Sequence, residues 1–176
     1  MNFMDVLLTR RTTRSYLPQQ ISKSELDTLL LAAHMAPIAG AEYTNTHLTV
    51  LQNEAILSEV RSVCGRVNAE TGGTRDSFYG APTIIFLSAN GISNDKIEYS
   101  NIGCAIENML LAATSLGLGS TYIWGCLRNL RKHPEVIARL QVPEGYEILS
   151  AVACGYPTTP LSLREPKEYL GVNYVE

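Results

Sequence analysis

The stretch from Asp95 to Gly117 constrains the fold most. Ile102, Ala105, Ile106, Met109, Leu110, Ala113 and Leu116 recur there at spacings of three and four, the period of a helix. The apolar face they make is wide, which predicts a central packed helix, with Gly117 as its C-cap. Its most apolar part, Met109 to Gly119, is too short to span a bilayer and is interrupted by Ser115 and Gly117. A buried helix of this kind needs partners. Thr83 to Ser88, an unbroken run after Pro82, and Glu147 to Tyr156 read as strands buried on both faces.

Shorter elements fill in around these. Asn2 with Asp5, and Ser22 with Glu25, are capping-box starts for two helices. The first carries Phe3, Val6 and Leu7 as its apolar stripe and ends near Arg10 or Arg11; the second carries Leu26, Leu29, Leu30 and Ala33 and stops before Pro37. His47 to Leu51 predicts a strand, Ala55 to Cys64 a helix, Thr121 to Trp124 a strand and Pro134 to Leu140 a short helix. Residues 65–80, rich in Gly, Asn, Thr and Ser, predict a surface loop or short irregular helix, and the tail after Pro157 has no helical pattern. Strands and helices without a regular βαβ rhythm point to an α+β fold. With 176 residues, no repeat and no linker, residues 1–176 are expected to form a single domain.

Hydrophobic residues make up 45% of the chain and charged residues 18%, an ordinary globular balance that argues against disorder. No basic stretch followed by an apolar run opens the sequence, so no signal peptide is expected. Cys64, Cys104, Cys126 and Cys154 are scattered, without the tight spacing of zinc or iron–sulfur ligands. Reduced thiols and a cytoplasmic location are the expectation.

Against a net charge of −3, the run Arg10-Arg11-Thr12-Thr13-Arg14 is a local concentration of cations. Guanidinium groups meet phosphate bidentately, and Thr hydroxyls can fill its remaining lone pairs. The plainer reading is a solvated basic helix end offsetting the macrodipole. Contact with nucleic acid would need an extended basic face, which a sequence pI near 5.6 does not support.

Other motifs are weaker. Gly117-Leu118-Gly119 follows a helix and has Tyr122 where a third glycine would fall, so it is no dinucleotide fingerprint. It reads as a helix C-cap followed by a close backbone approach. No GxxxxGK stretch is present. His34, His47 and His133 lack a recognisable nucleophile nearby, and nothing marks Cys64 or Cys126 as reactive. Ala36-Pro37-Ile38-Ala39-Gly40 is a small-residue turn that either stops a helix or lets a flat ligand approach the backbone.

Taken in order, these segments resemble the flavin-dependent nitroreductase family. Arg10 to Tyr16 is similar to its opening RRSxRxF/Y motif, and Ala32 to Gly40 to its AAxxAPSAG segment. Ala81-Pro82-Thr83-Ile84-Ile85 looks like its buried APxxI strand. Gly103 to Ala113 with Leu116 to Ser120 resembles the central helix and GLG turn. Val152 to Pro157 and Leu163-Arg164-Glu165-Pro166 are similar to the last strand and the C-terminal RKP. The resemblance covers nearly the whole chain.

It implies an α+β fold with a mixed, mainly antiparallel sheet flanked by helices, and an intertwined homodimer with one FMN per subunit at its interface. By position, Arg10, Arg11, Thr12, Arg14 and Arg164 would hold the FMN phosphate. Pro37, Ile38 and Ala39 would approach the isoalloxazine from the partner subunit. Tyr122, Ile123 and Trp124 would flank it on the other side through backbone contacts. NADH or NADPH would reduce the flavin, which would then pass electrons to a small electron-poor acceptor such as a nitroaromatic or quinone. No protein acid or base is implied. Other flavin chemistry of the superfamily (dehydrogenation, dehalogenation, flavin breakdown) and a non-catalytic sensor role are the alternatives. Where the family often reads GNxQPW, Ala41 replaces the Asn and Asn45 the Trp; Glu165 replaces a frequent Lys.

Overall fold

A computed structural model describes residues 1–67, 72–167 and 169–176. Two capped helices open the chain. Asn2 accepts from the Asp5 amide at 2.9 Å and starts α1 (Phe3–Thr9); Ser22 accepts from the Glu25 amide and starts α2 (Lys23–His34). Both capping boxes are complete, which satisfies donors that a helix start otherwise leaves open. The expected apolar stripe of α1 is only partly buried. Val6 and Thr9 face inward, whereas Phe3 is 66% exposed and Leu7 lies at the surface.

The chain continues through β1 (Thr46–Leu51), α3 (Glu54–Cys64), a short hairpin of β2 (Arg66–Val67) and β3 (Thr74–Arg75), and β4 (Thr83–Asn90). The central helix α4 (Ile97–Ser115) leads to β5 (Gly119–Ile123), α5 (Leu127–Leu130), α6 (Pro134–Arg139) and β6 (Tyr146–Gly155). The loop expected over 65–80 therefore contains a hairpin, with residues 68–71 outside the described residues. The α5 turn carries no start signal, so its pattern was invisible in the sequence.

The main sheet runs β1-β4-β6-β5 with every pair antiparallel. Among the described residues, its one parallel element is the isolated bridge from Thr12 to Ser120. The apolar runs in β4 and β6 follow from burial on both faces. Ile84 and Phe86 enter a core with α3, α5 and α6 through Leu57, Val60, Leu127 and Val136. Ile85 and Leu87 enter the opposite core with α2 and α4 through Leu29, Ile106 and Met109. In β6, Leu87 pairs with Ser150 and Ser88 with Ile148, so Leu149 is an extra residue. This bulge re-phases the strand: Ile148 and Ala151 share one core, Leu149 and Val152 the other.

Phe86 is fully buried at the centre of β4. Phe86→Ala should cost roughly 3–5 kcal/mol through lost transfer energy and an unfilled cavity, read from the midpoint and slope of urea unfolding.

Candidate functional site

The Arg run begins where α1 stops. Arg10 is the C-cap, with extended backbone (φ −55°, ψ 127°), and from there the chain runs beside the free edge of β5. Thr12 bridges to Ser120, and the Thr13 amide donates to the Ser120 carbonyl at 3.0 Å. Tyr16 locks this arrangement from below. Its buried hydroxyl donates to the Thr13 carbonyl at 3.0 Å and lies 2.8 Å from Thr121 Oγ1, and the Thr121 hydroxyl also donates to the Thr13 carbonyl. Burial pushes the Tyr16 phenol well above its ordinary pKa, so it stays a neutral donor.

The GLG turn does what its glycines suggest. Gly117 has φ +76° and closes α4, and Gly119 lets Thr13 approach. A Cβ at Gly119 would stand 2.7 Å from Thr13 Cγ2 and 2.8 Å from Thr13 Oγ1. The close approach expected at this turn is thus made by the protein's own Arg segment.

The cations divide into two groups. Arg164 donates from Nε to the Leu8 carbonyl at 3.1 Å and from Nη2 to the Arg10 carbonyl at 2.6 Å, tying the tail to the end of α1. Arg11 donates to the Ser162 carbonyl and to Ser162 Oγ at 3.2 Å. Arg10 Nε lies 3.6 Å from a Glu107 carboxylate oxygen on α4. Arg14 alone among the four has neither a hydrogen bond nor an ion pair among the described residues. It lines a groove of ≈ 250 Å³ with Arg11, Thr12, Ser15 and the segment Pro157–Leu161. That donor set suits a phosphate: an open guanidinium, a second one beside it and exposed hydroxyls.

Further along β5 the alternation of the strand sorts the next three residues. Ile123 is buried, while Tyr122 and Trp124 are 48% and 56% exposed on the other face. Tyr122 and Trp124 border a cavity of ≈ 130 Å³ whose far wall is Arg66, Arg75, Asp76 and Tyr79. Sequence reasoning missed these four, because only the hairpin returns them to β5. Cys126 also lines this cavity. The neighbouring Cys64 thiol hydrogen-bonds it and lowers its pKa, with a smaller contribution from Arg66; Cys64 is itself pushed up.

Pro37, Ile38 and Ala39 lie elsewhere. They follow α2, with the Ala39 amide donating to Asn101 Oδ1 at 3.1 Å, and Ile38 borders a separate cavity of ≈ 340 Å³ with Leu30, His34, Tyr43 and His47. Within one chain this turn joins neither the Arg groove nor the cavity beside Trp124. Gly40 and Ala41 are both left-handed, at φ +68° and +55°, and Asn45 donates to the Glu42 carboxylate at 2.8 Å. His133 faces Glu135 at 2.9 Å and does not cap α6 with its side chain. Among the described residues, no three or more His, Cys, Asp or Glu side chains could hold a metal ion, and no helix is long and apolar enough to cross a membrane.

Comparison with known proteins gives a consistent result. The sequence pattern of the Nitroreductase family matches residues 7–156. A protein of Archaeoglobus fulgidus, provisionally named an NADH dehydrogenase/NAD(P)H nitroreductase, is 30% identical over 158 residues, 88% of this chain and 84% of that one. One of the same name from Methanothermobacter thermautotrophicus is 30% identical over 161 residues, 89% of this chain and 78% of that one. A Bacteroides fragilis nitroreductase crystallised with bound FMN matches all of both chains (100% each) at 30% identity and a TM-score of 0.82.

Thr13 has little room to retreat from a methyl group at position 119, because its carbonyl is held by Tyr16 and Thr121. Gly119→Ala should therefore cost roughly 1–3 kcal/mol by overpacking, measured by urea unfolding.

Proposed function

The chain belongs to the nitroreductase family, and from that premise we propose an FMN-dependent oxidoreductase that takes hydride from NADH or NADPH and reduces a small electron-poor acceptor, a nitroaromatic or quinone. The observation that carries this reading is the pairing of the Arg segment with β5. It sets an open phosphate-type groove and the Tyr122–Trp124 segment along one strand edge, with Trp124 four residues, about 13 Å, beyond Ser120. A ligand with an anionic tail and a planar ring fits that layout.

Arg14, with the Thr12 hydroxyl, would supply the direct phosphate contacts. Arg10, Arg11 and Arg164 would add positive field while keeping the turn in shape through the bonds described above. Tyr122, Ile123 and Trp124 would offer backbone groups to one side of the ring. Bound FMN would supply the two-electron chemistry, and the protein would bind and orient it.

Pro37, Ile38 and Ala39 enter the proposal through a second copy of the chain. The homodimer is supported by apolar surface that one copy leaves bare. Phe3 and Met4 of α1 are 66% and 59% exposed, and Tyr169, Leu170, Tyr174 and Val175 of the tail 81–93%. Residues 1–176 are read as one FMN-binding domain. A cytoplasmic setting suits the four unpaired cysteines.

Three outcomes are expected. The purified protein should be yellow, release FMN on denaturation and oxidise NADH or NADPH with 1,4-benzoquinone; a colourless protein that binds no added FMN sinks the reading. Arg14→Ala should weaken FMN binding by roughly 10- to 150-fold, the loss of a charge-assisted contact worth about 1.5–3 kcal/mol. Removing residues 169–176 should shift the dimer toward monomer in sedimentation equilibrium.

A further inference from the structure

Four cations with no part in the phosphate groove gather around the turn that follows β5. Arg66 and Arg75 come from the two strands of the hairpin, Arg128 from α5 and Lys132 from the turn after it. The cavity beside Trp124 adjoins a second, of ≈ 450 Å³, and Arg66, Gly125 and Cys126 border both. The end of the Arg66 side chain lies against Gly125: a Cβ there would stand 2.9 Å from its Nη2.

Among the described residues, most of the charge in this cleft has no ion-pair partner. Arg66, Arg128 and Lys132 make no side-chain hydrogen bond or ion pair among the described residues. Arg75 sits over the Tyr79 ring at 5.4 Å. Asp76, the one acid among the described residues bordering either cavity, is already engaged. It accepts from the amides of Phe78 and Gly80 at 2.8 and 2.7 Å and lies 3.5 Å from Arg61 Nε. On a chain of net charge −3, several like charges around one small cleft repel one another unless an anion enters.

We propose that this cleft binds the anionic end, a phosphate or carboxylate, of a substrate whose planar part lies against Tyr122 and Trp124. The proposal rests on the flavin reading for the identity of that substrate, which is the reductant or the acceptor. The groove at Arg14 takes a different anion, the cofactor's own phosphate. An RNA or DNA backbone is disfavoured, because the cations are confined to one cleft on an acidic chain.

Trp124 is the chain's single tryptophan, so its emission reports on the cleft. Inorganic pyrophosphate, titrated at low salt into the protein as purified, should change that emission saturably. Arg128→Gln with Lys132→Gln should raise the Kd at least tenfold, and Arg128→Lys should keep it near the original value. Both positions are exposed, and an unchanged circular dichroism melt checks that the fold is intact. No saturable change, or equal Kd in the original and double-variant proteins, overturns the site. This titration needs no turnover, so it stands apart from any failure of the flavin reading.

The source of the anion follows from KM values in the same double variant. A rise for NADPH but not NADH assigns it to the reductant's extra phosphate. A rise for 4-nitrobenzoate but not nitrobenzene assigns it to the acceptor's carboxylate. Either result supports the proposal. Pyrophosphate binding with all four KM values unchanged overturns the substrate role and leaves an adventitious anion site.

Discussion

The β4–β6 pair, paired along its length and covered on both faces, is the constraint from which the rest of the molecule follows. A strand with apolar side chains on both faces must have a layer on each side, and its amides must find partners within the sheet. Helices α2 and α4 provide one layer, and α3, α5 and α6 the other. The remaining strands, β1 and β5, become the edges. The Leu149 bulge keeps both faces apolar although the strand gains a residue.

The free edge of β5 then becomes useful. An exposed edge offers unpaired backbone groups, and here Thr12 and Thr13 take them at Ser120. Everything proposed for the cofactor depends on this docking, which Gly119 permits and Tyr16 fastens. Arg11 and Arg164 spend their donors on carbonyls of the tail and of α1, while Arg14 stays open. A cluster that looks uniform in the sequence is therefore part structural brace and part binding surface.

Much of this was legible beforehand. The capping boxes at Asn2 and Ser22, the period of α4 and the apolar runs of β4 and β6 are local patterns, and each became the element it predicted. The ordered motifs from Arg10 to Pro166 carried the family resemblance. The exposure of Phe3 was not legible, because a helical stripe does not say which layer covers it. The α5 turn and the hairpin were hidden for a related reason: four- and two-residue elements are too short to show a period. Arg66, Arg75, Arg128 and Lys132 lie in three separate stretches of ordinary polar sequence, and no spacing rule joins them.

By itself, then, the sequence determined the elements and the wide burial of the central helix, because period, caps and turn residues act over a few neighbouring positions. It also determined that a basic run sits at the end of the first helix and that glycines follow the long one. Only the tertiary structure decided that Thr13 is what meets Gly119, that Arg14 is the cation of the basic run without a hydrogen bond or ion pair among the described residues, and that a second group of cations converges on Gly125. Those facts depend on which edges and turns the packed layers bring together, and contacts between residues far apart in the chain leave no local pattern in it.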